Sequence, residues 1–302
     1  MTRLALLLVL ATTAFAASLD PALIPHDRQW VAHLDVQKLL AGRIGAYLKE
    51  KAREPDAELK LRQLAFITGV DLATDVASLT IAGIDDDPAK VVVWIKGSFD
   101  ADRLGQLVTL ADQHRSETYH DRTIHAWVNK DDGNKPQAGC LVSGDLVLFA
   151  ERPEAIRHAL DVLDGRTRPI GEGDPLRKAL PALDSPFLVA AAAGGNGWKG
   201  RGARSQFIQQ VASLGLSASE AGDRLVLNAM AIATDAVTAT KLRDMAQGLI
   251  AIASFSEEIQ AQPLLSQALQ SVQINAANTA ITASMSCDLD TLQAAAEAHQ
   301  QK

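Results

Sequence analysis

The chain has 302 residues, with 29 Lys and Arg against 36 Asp and Glu, a net charge of −7 and 47% hydrophobic residues. That length suits one large domain or two of ordinary size, with enough apolar residues for a sizeable core. The acidic balance carries no basic stripe, which argues against nucleic acid as a partner, because phosphate neutralisation needs clustered Lys and Arg. Two cysteines, Cys140 and Cys287, are too few for a disulfide scaffold.

Residues 1–16 come first. Arg3, an apolar run from Leu4 through Thr13, and the small-residue triplet Ala14, Phe15, Ala16 ahead of Ala17 follow the order of a cleavable secretory signal peptide. The run is shorter than the roughly 20 residues a helix needs to cross a bilayer. No Cys stands near the cut to receive lipid. The expected location is therefore periplasmic or secreted, with no membrane anchor after cleavage.

The mature chain repeats one unit: an apolar strand, a short polar joint, then a helix whose apolar residues recur at spacings of three and four. Trp30, Val31, Ala32, His33 and Leu34 lead through Asp35, placed as a helix cap, to Leu39, Leu40, Ile44, Tyr47 and Leu48. A strand over 91–95 leads through Asp100 to Leu104, Leu107 and Val108, and one over 146–150 leads through Pro153 to Ile156, Leu160 and Leu163. The second half repeats the scheme. A strand over 187–193 precedes a glycine-rich loop and an expected helix with Phe207, Ile208, Val211 and Leu214; 224–233 leads through Asp235 to Leu242, Met245 and Leu249; 279–287 leads through Asp288 to Leu292 and Ala295.

Further strands over 76–84 and 118–129 end in the acidic turns at Asp85, Asp86, Asp87 and at Asp131, Asp132, which point to hairpins. Extra helices are expected over 56–66, 176–183 and 257–270. The fold class is α+β: two tandem β-α-β-β-α-β-β-α modules, 17–168 and 169–302, with mainly antiparallel sheets and helices packed on one face. The join falls in the polar stretch 165–175. The leader, the start at Trp30, the strand-to-helix passage over 91–107 and that over 145–160 resemble uncharacterised exported bacterial α+β proteins of unknown function. The resemblance implies fold and location and brings no catalytic residues.

Gly195, Gly197 and Gly200, with Glu220 twenty residues on, spell a dinucleotide fingerprint between a strand and a helix. The context opposes that reading: Leu214, Leu216 and Ala218 alternate with small and polar residues, as in a half-exposed antiparallel strand. A glycine-rich loop is the plainer reading, and no cofactor is expected. His114, His120 and His125 cluster around one hairpin. His120 and His125, five apart, would face opposite sides of a regular strand, so no metal is expected, while a turn at Asp121 and Arg122 would change the register. His26, His33, His158 and His299 stand alone. The acidic turns match no calcium loop, and no nucleophile elbow or Ser-x-x-Lys helix is present.

Cys140 and Cys287 could pair in an oxidising compartment, the alternative being two small buried apolar side chains. The expectation is a non-catalytic exported binding or structural protein of the cell envelope, meeting a protein, peptide or envelope component through a surface or inter-module groove. The alternative is a periplasmic or secreted hydrolase with a spatially assembled site around His120, Asp121 and His125.

Overall fold

The apolar alternation from Trp30 becomes the central strand of a sheet. The computed structural model describes residues 18–130, 132–180, 186–194 and 210–300. The first half contains β1 (Trp30–Asp35), α1 (Val36–Ala41), α2 (Arg43–Lys51), α3 (Pro55–Thr68), β2 (Val76–Gly83), β3 (Val92–Gly97), α4 (Ala101–Thr109), β4 (Arg115–Tyr119), β5 (Arg122–Asn129), β6 (Lys135–Ser143), β7 (Leu146–Ala150) and α5 (Pro153–Leu163). The second contains α6 (Pro175–Ala179), β8 (Leu188–Ala193), β9 (Val211–Ala221), β10 (Arg224–Ala233), α7 (Ala236–Ser254), α8 (Glu257–Gln260), α9 (Pro263–Gln270), β11 (Gln273–Ala277), β12 (Ala280–Asp288) and α10 (Leu289–Gln300).

The twelve strands among the described residues form one antiparallel sheet in the order β11-β12-β10-β9-β8-β1-β2-β3-β7-β6-β5-β4. Outward from the centre the halves correspond, β1-β2-β3-β7-β6 against β8-β9-β10-β12-β11, and the first half adds the β4–β5 hairpin at its edge. The halves meet through the β1–β8 ladder, from Trp30 opposite Ala192 to Leu34 opposite Leu188. Their junction is thus continuous sheet.

Local chemistry sets the boundaries. Asp35, Asp100 and Asp235 each cap a helix by accepting from the backbone amide three residues on, at Lys38, Arg103 and Thr238. The helix expected from Leu39 to Leu48 breaks at Gly42 into α1 and α2, and that over 257–270 breaks ahead of Pro263 into α8 and α9. The strand expected over 118–129 divides into β4 and β5 at a turn formed by His120 and Asp121, with φ of 46° and 62°. Such consecutive positive φ values are those of the tight hairpin turn that matches strand twist. Val211 and Leu214, expected on a helix, lie in β9; Phe207 and Ile208 lie outside the described residues.

The main core lies on one face of the first half. Val31, Trp94, Leu148, Cys140 and Ile124 are buried there beneath Ile156 and Leu160 of α5, with Ile24 and Leu176 closing the margin. Each such side chain contributes about 1.5–3 kcal/mol by leaving water. A smaller cluster lies on the opposite face of the second half, where Ala239 and Leu242 of α7 meet Ala231, Ile274 and Ile281.

Candidate binding surface

Strand register assigns every side chain of the sheet to a face. On the covered face a row runs Val189, His33, Thr80, Trp94, Leu148, Cys140, straight across β8, β1, β2, β3, β7 and β6. Trp94 is 1% exposed and Leu148 0%. On the opposite face of the same strands two further rows run parallel to it. One is Leu216, Ala190, Ala32, Ile81, Val93, Phe149, Gly139, His125. The other is Leu188, Leu34, Leu79, Ile95, Val147, Leu141. None of these residues is fully buried; Leu188 and Leu216 are exposed and the rest are intermediate. Trp127 lies at the end of the first row, its ring over Gly139 and edge-on to Phe149 at 5.9 Å between centroids. Close approach of that ring is what the missing side chain of Gly139 permits.

Apolar side chains also stand out on the helices. Leu59, Leu64, Phe66 and Ile67 of α3 are exposed, Phe66 to 82%, as are Leu249 and Ile252 of α7 and Phe255 just beyond it, the last to 81%. The stretch from Ala246 to Phe255 carries no charge. A protein surface usually scatters single apolar residues; here they are spread over several neighbouring strands.

The histidines fall differently from expectation. His120 and Asp121 make the β4–β5 turn, and His125 is directed away from them across β5. His120 lies 3.5 Å from Asp161, which accepts a 3.0 Å hydrogen bond from the Tyr119 hydroxyl. Burial, followed by that hydrogen bond to Asp161, raises the Tyr119 pKa. His125 instead meets His114, with Nε2 of His114 3.0 Å from Nδ1 of His125. Burial and then the neighbouring His114 hold the His125 pKa below the usual imidazole value. The three residues of the hydrolase reading are therefore not gathered into one site. Among the described residues no group of three His, Cys, Asp or Glu is placed to hold a metal. The Thr80 hydroxyl lies 2.8 Å from Nδ1 of His33 inside the covered core. His158 and Arg28 share a 3.0 Å contact, and the His299 side chain lies outside the described residues.

Gly195, Gly197 and Gly200 lie outside the described residues. Glu220, the acid of that fingerprint, is already engaged: its carboxylate accepts from the backbone amides of Arg43 and Ile44, at 2.7 and 3.0 Å, and caps α2. The next turn reinforces the clasp, since Arg43 pairs with Asp223 at 3.1 Å and with Asp290. A dinucleotide reading thus loses its ribose ligand to a contact between the two halves. Cys140 on β6 and Cys287 on β12 are separated by seven intervening strands. Eight strand spacings of about 4.8 Å put them far beyond the roughly 7 Å a disulfide allows. Both are free and buried, and burial pushes the Cys140 thiol up to about 11. In the acidic turns Asp85 and Asp87 hold Lys90, and Asp132 holds Lys135; Asp131 lies outside the described residues.

No helix among the described residues is long and apolar enough to cross a membrane. No family model and no curated protein sequence matches the chain. Solved structures do. Crystal forms III and IV of TP0453, a Treponema protein, superpose with TM-scores of 0.51 and 0.52 at 8% identity, covering 91% and 92% of this chain and 97% of theirs. The chain is similar to TP0453 in fold. That likeness extends over both halves and the continuous sheet, and at 8% identity it concerns architecture alone.

Proposed function

We propose that this protein is an exported, non-catalytic binding protein of the cell envelope, working through the uncovered apolar face of its sheet. The observation that carries this reading is the pair of apolar rows ending at Leu141 and His125, left part-exposed on the same strands whose other side is sealed. Leaving several large side chains in contact with water forfeits about 25 cal/mol per Å² of apolar surface, a cost recovered when a partner covers them. The ligand class is an envelope component that presents an apolar chain or an apolar peptide face. The leader supports export, and N-terminal sequencing of the mature protein should begin at Ala17.

Binding is tested with an undecanoate chain bearing a dansyl group. Energy transfer from Trp127 and Trp30, both on the open face, should rise on mixing. Val93→Asn and Ile81→Asn should weaken probe binding about tenfold or more, since each puts an amide under the bound chain. Leu59→Asn on α3 serves as an off-sheet comparison. Unchanged probe affinity in the two sheet variants, with the fold intact by circular dichroism, would overturn the reading.

A further inference from the structure

The apolar row that crosses the open face ends on a pair of imidazoles. His125 projects from β5 opposite Gly139, and His114 stands in the corner between α4 and β4. The corner is pinned beside them: the Val128 amide donates to the Asp112 carbonyl at 2.9 Å, and Lys130 holds the Asp112 carboxylate at 2.6 Å. The ring centroids are 5.3 Å apart and the interplanar angle is 28°. Their facing nitrogens are 3.0 Å apart. Lys130 engages the Asp112 carboxylate, and among the described residues no third His, Cys, Asp or Glu joins the pair as a metal-holding group.

We infer that His114 and His125 form a two-histidine chelate for a late first-row divalent cation, copper(II) ahead of zinc, with solvent filling the remaining positions. With metal–nitrogen bonds of about 2.0–2.1 Å, two cis nitrogens lie about 2.9 Å apart at a right angle and about 3.3 Å apart in a tetrahedron. The observed separation falls within that span, and because the nitrogens face each other nearly head-on, each ring turns by about 35–45° to aim its lone pair at one ion. Imidazole suits copper and zinc, and affinity for a given nitrogen site peaks at copper. Both rings must be neutral to ligate. The proton balance is simple. The N–H now shared between Nε2 of His114 and Nδ1 of His125 moves to the far nitrogen of the ring that carries it, leaving each imidazole with one proton and releasing none.

A bound ion would staple the α4–β4 corner to β5. Trp127 makes this visible: it lies two residues from His125 on the same strand face, within about 7 Å. Copper(II) chloride is titrated into the untagged mature chain with free glycine as a buffer for the ion, reading tryptophan fluorescence and the electron paramagnetic resonance spectrum. One equivalent should quench Trp127 and show hyperfine coupling to two imidazole nitrogens. Loss of an outer partner alone weakens metal sites about 10–100-fold, so removing one of two ligands should raise the half-quenching concentration by about tenfold or more. His114→Ala and His125→Ala test this, and His114→Gln and His125→Gln retain polar side chains should the alanine variants fold poorly. Zinc should raise the thermal midpoint of the wild type and not of the variants. Equal quenching in wild type and folded variants, or coupling to fewer than two nitrogens at one equivalent, would overturn the assignment.

Discussion

The two faces of strands β1, β2, β3 and β7 differ in covering more than in hydrophobicity. Trp94 and Leu148 on one side are sealed by α5, while Ile81, Val93, Leu79 and Ile95 on the other are comparably apolar and remain part-exposed. An antiparallel sheet of this size can leave one face to water, but such a face is ordinarily polar. Here the sequence of the open face is that of an interior. The contrast separates side chains sealed in the core from side chains left part-exposed.

The sharpest way to break that contrast is one substitution on each face. Leu148→Ala opens a cavity in a dry core and should cost about 3 kcal/mol. Leu79→Ala, already part-exposed, should cost about 1 kcal/mol. Urea unfolding of both variants measures the gap, and equal losses would show that the open face is as structural as the covered one.

A second contrast lies between the halves, which meet at the Glu220 clasp as well as along the β1–β8 ladder. A Cβ on Gly42 would come 2.4 Å from a Glu220 carboxylate oxygen. Gly42→Ala should therefore displace the cap of α2 and cost about 1–2 kcal/mol, and Glu220→Ala should cost about 1 kcal/mol. The two effects should not add, because both remove the same contact. A double variant whose loss equals the sum, by urea unfolding, would mean that the clasp is incidental.

Much of this architecture is written in short-range pattern. Five of the six strand-to-helix units stand where alternation and spacing put them, with aspartate caps at Asp35, Asp100 and Asp235, while Val211 and Leu214 of the unit after β8 lie in a strand. The extra β4–β5 hairpin was not separable by hydropathy, because its turn uses His120 and Asp121 where glycine or asparagine would have signalled it. The site was less legible still. That Val93 faces outward and Trp94 inward depends on where α5 docks, and a continuous apolar run such as Val91 to Ile95 looks the same whether one or both of its faces are covered. His114 and His125 share a hairpin in the sequence, yet their meeting depends on the corner that Asp112 pins to Val128. The cysteines show the same gap, since their separation is a property of strand order.

That separation gives a chemical test. A thiol reagent should count two free cysteines in denaturant, with or without prior reduction, and almost none at neutral pH in the folded protein. Burial keeps Cys140 protonated there, so its reactive thiolate is scarce. A pair of thiols that appeared only after reduction would contradict the sheet order. The covered core around Cys140 makes this the more protected of the two, and its exchange should follow global unfolding.

The smallest expected effect separates a helix held by packing from one held by its cap. Helix α5 has no side-chain cap and buries five residues, whereas α7 buries Ala239 alone and has Asp235 accepting from both the backbone amide and the hydroxyl of Thr238. The backbone hydrogen bond from Thr238, and then its hydroxyl, hold the Asp235 carboxyl below its usual range. A carboxyl depressed in the folded state stabilises above its unfolded pKa, and that contribution fades as pH falls through the lower folded value. Asn caps a helix about as well as Asp, so Asp235→Asn removes the charge while keeping the acceptor. The thermal midpoint of the wild type should exceed that of the variant slightly at pH 7, and the difference should close as the pH drops below the carboxylate range. A gap that stayed constant with pH would show that the charge at the α7 N-terminus adds nothing, and that this thinly packed helix is held by the hydrogen-bond geometry of its cap alone.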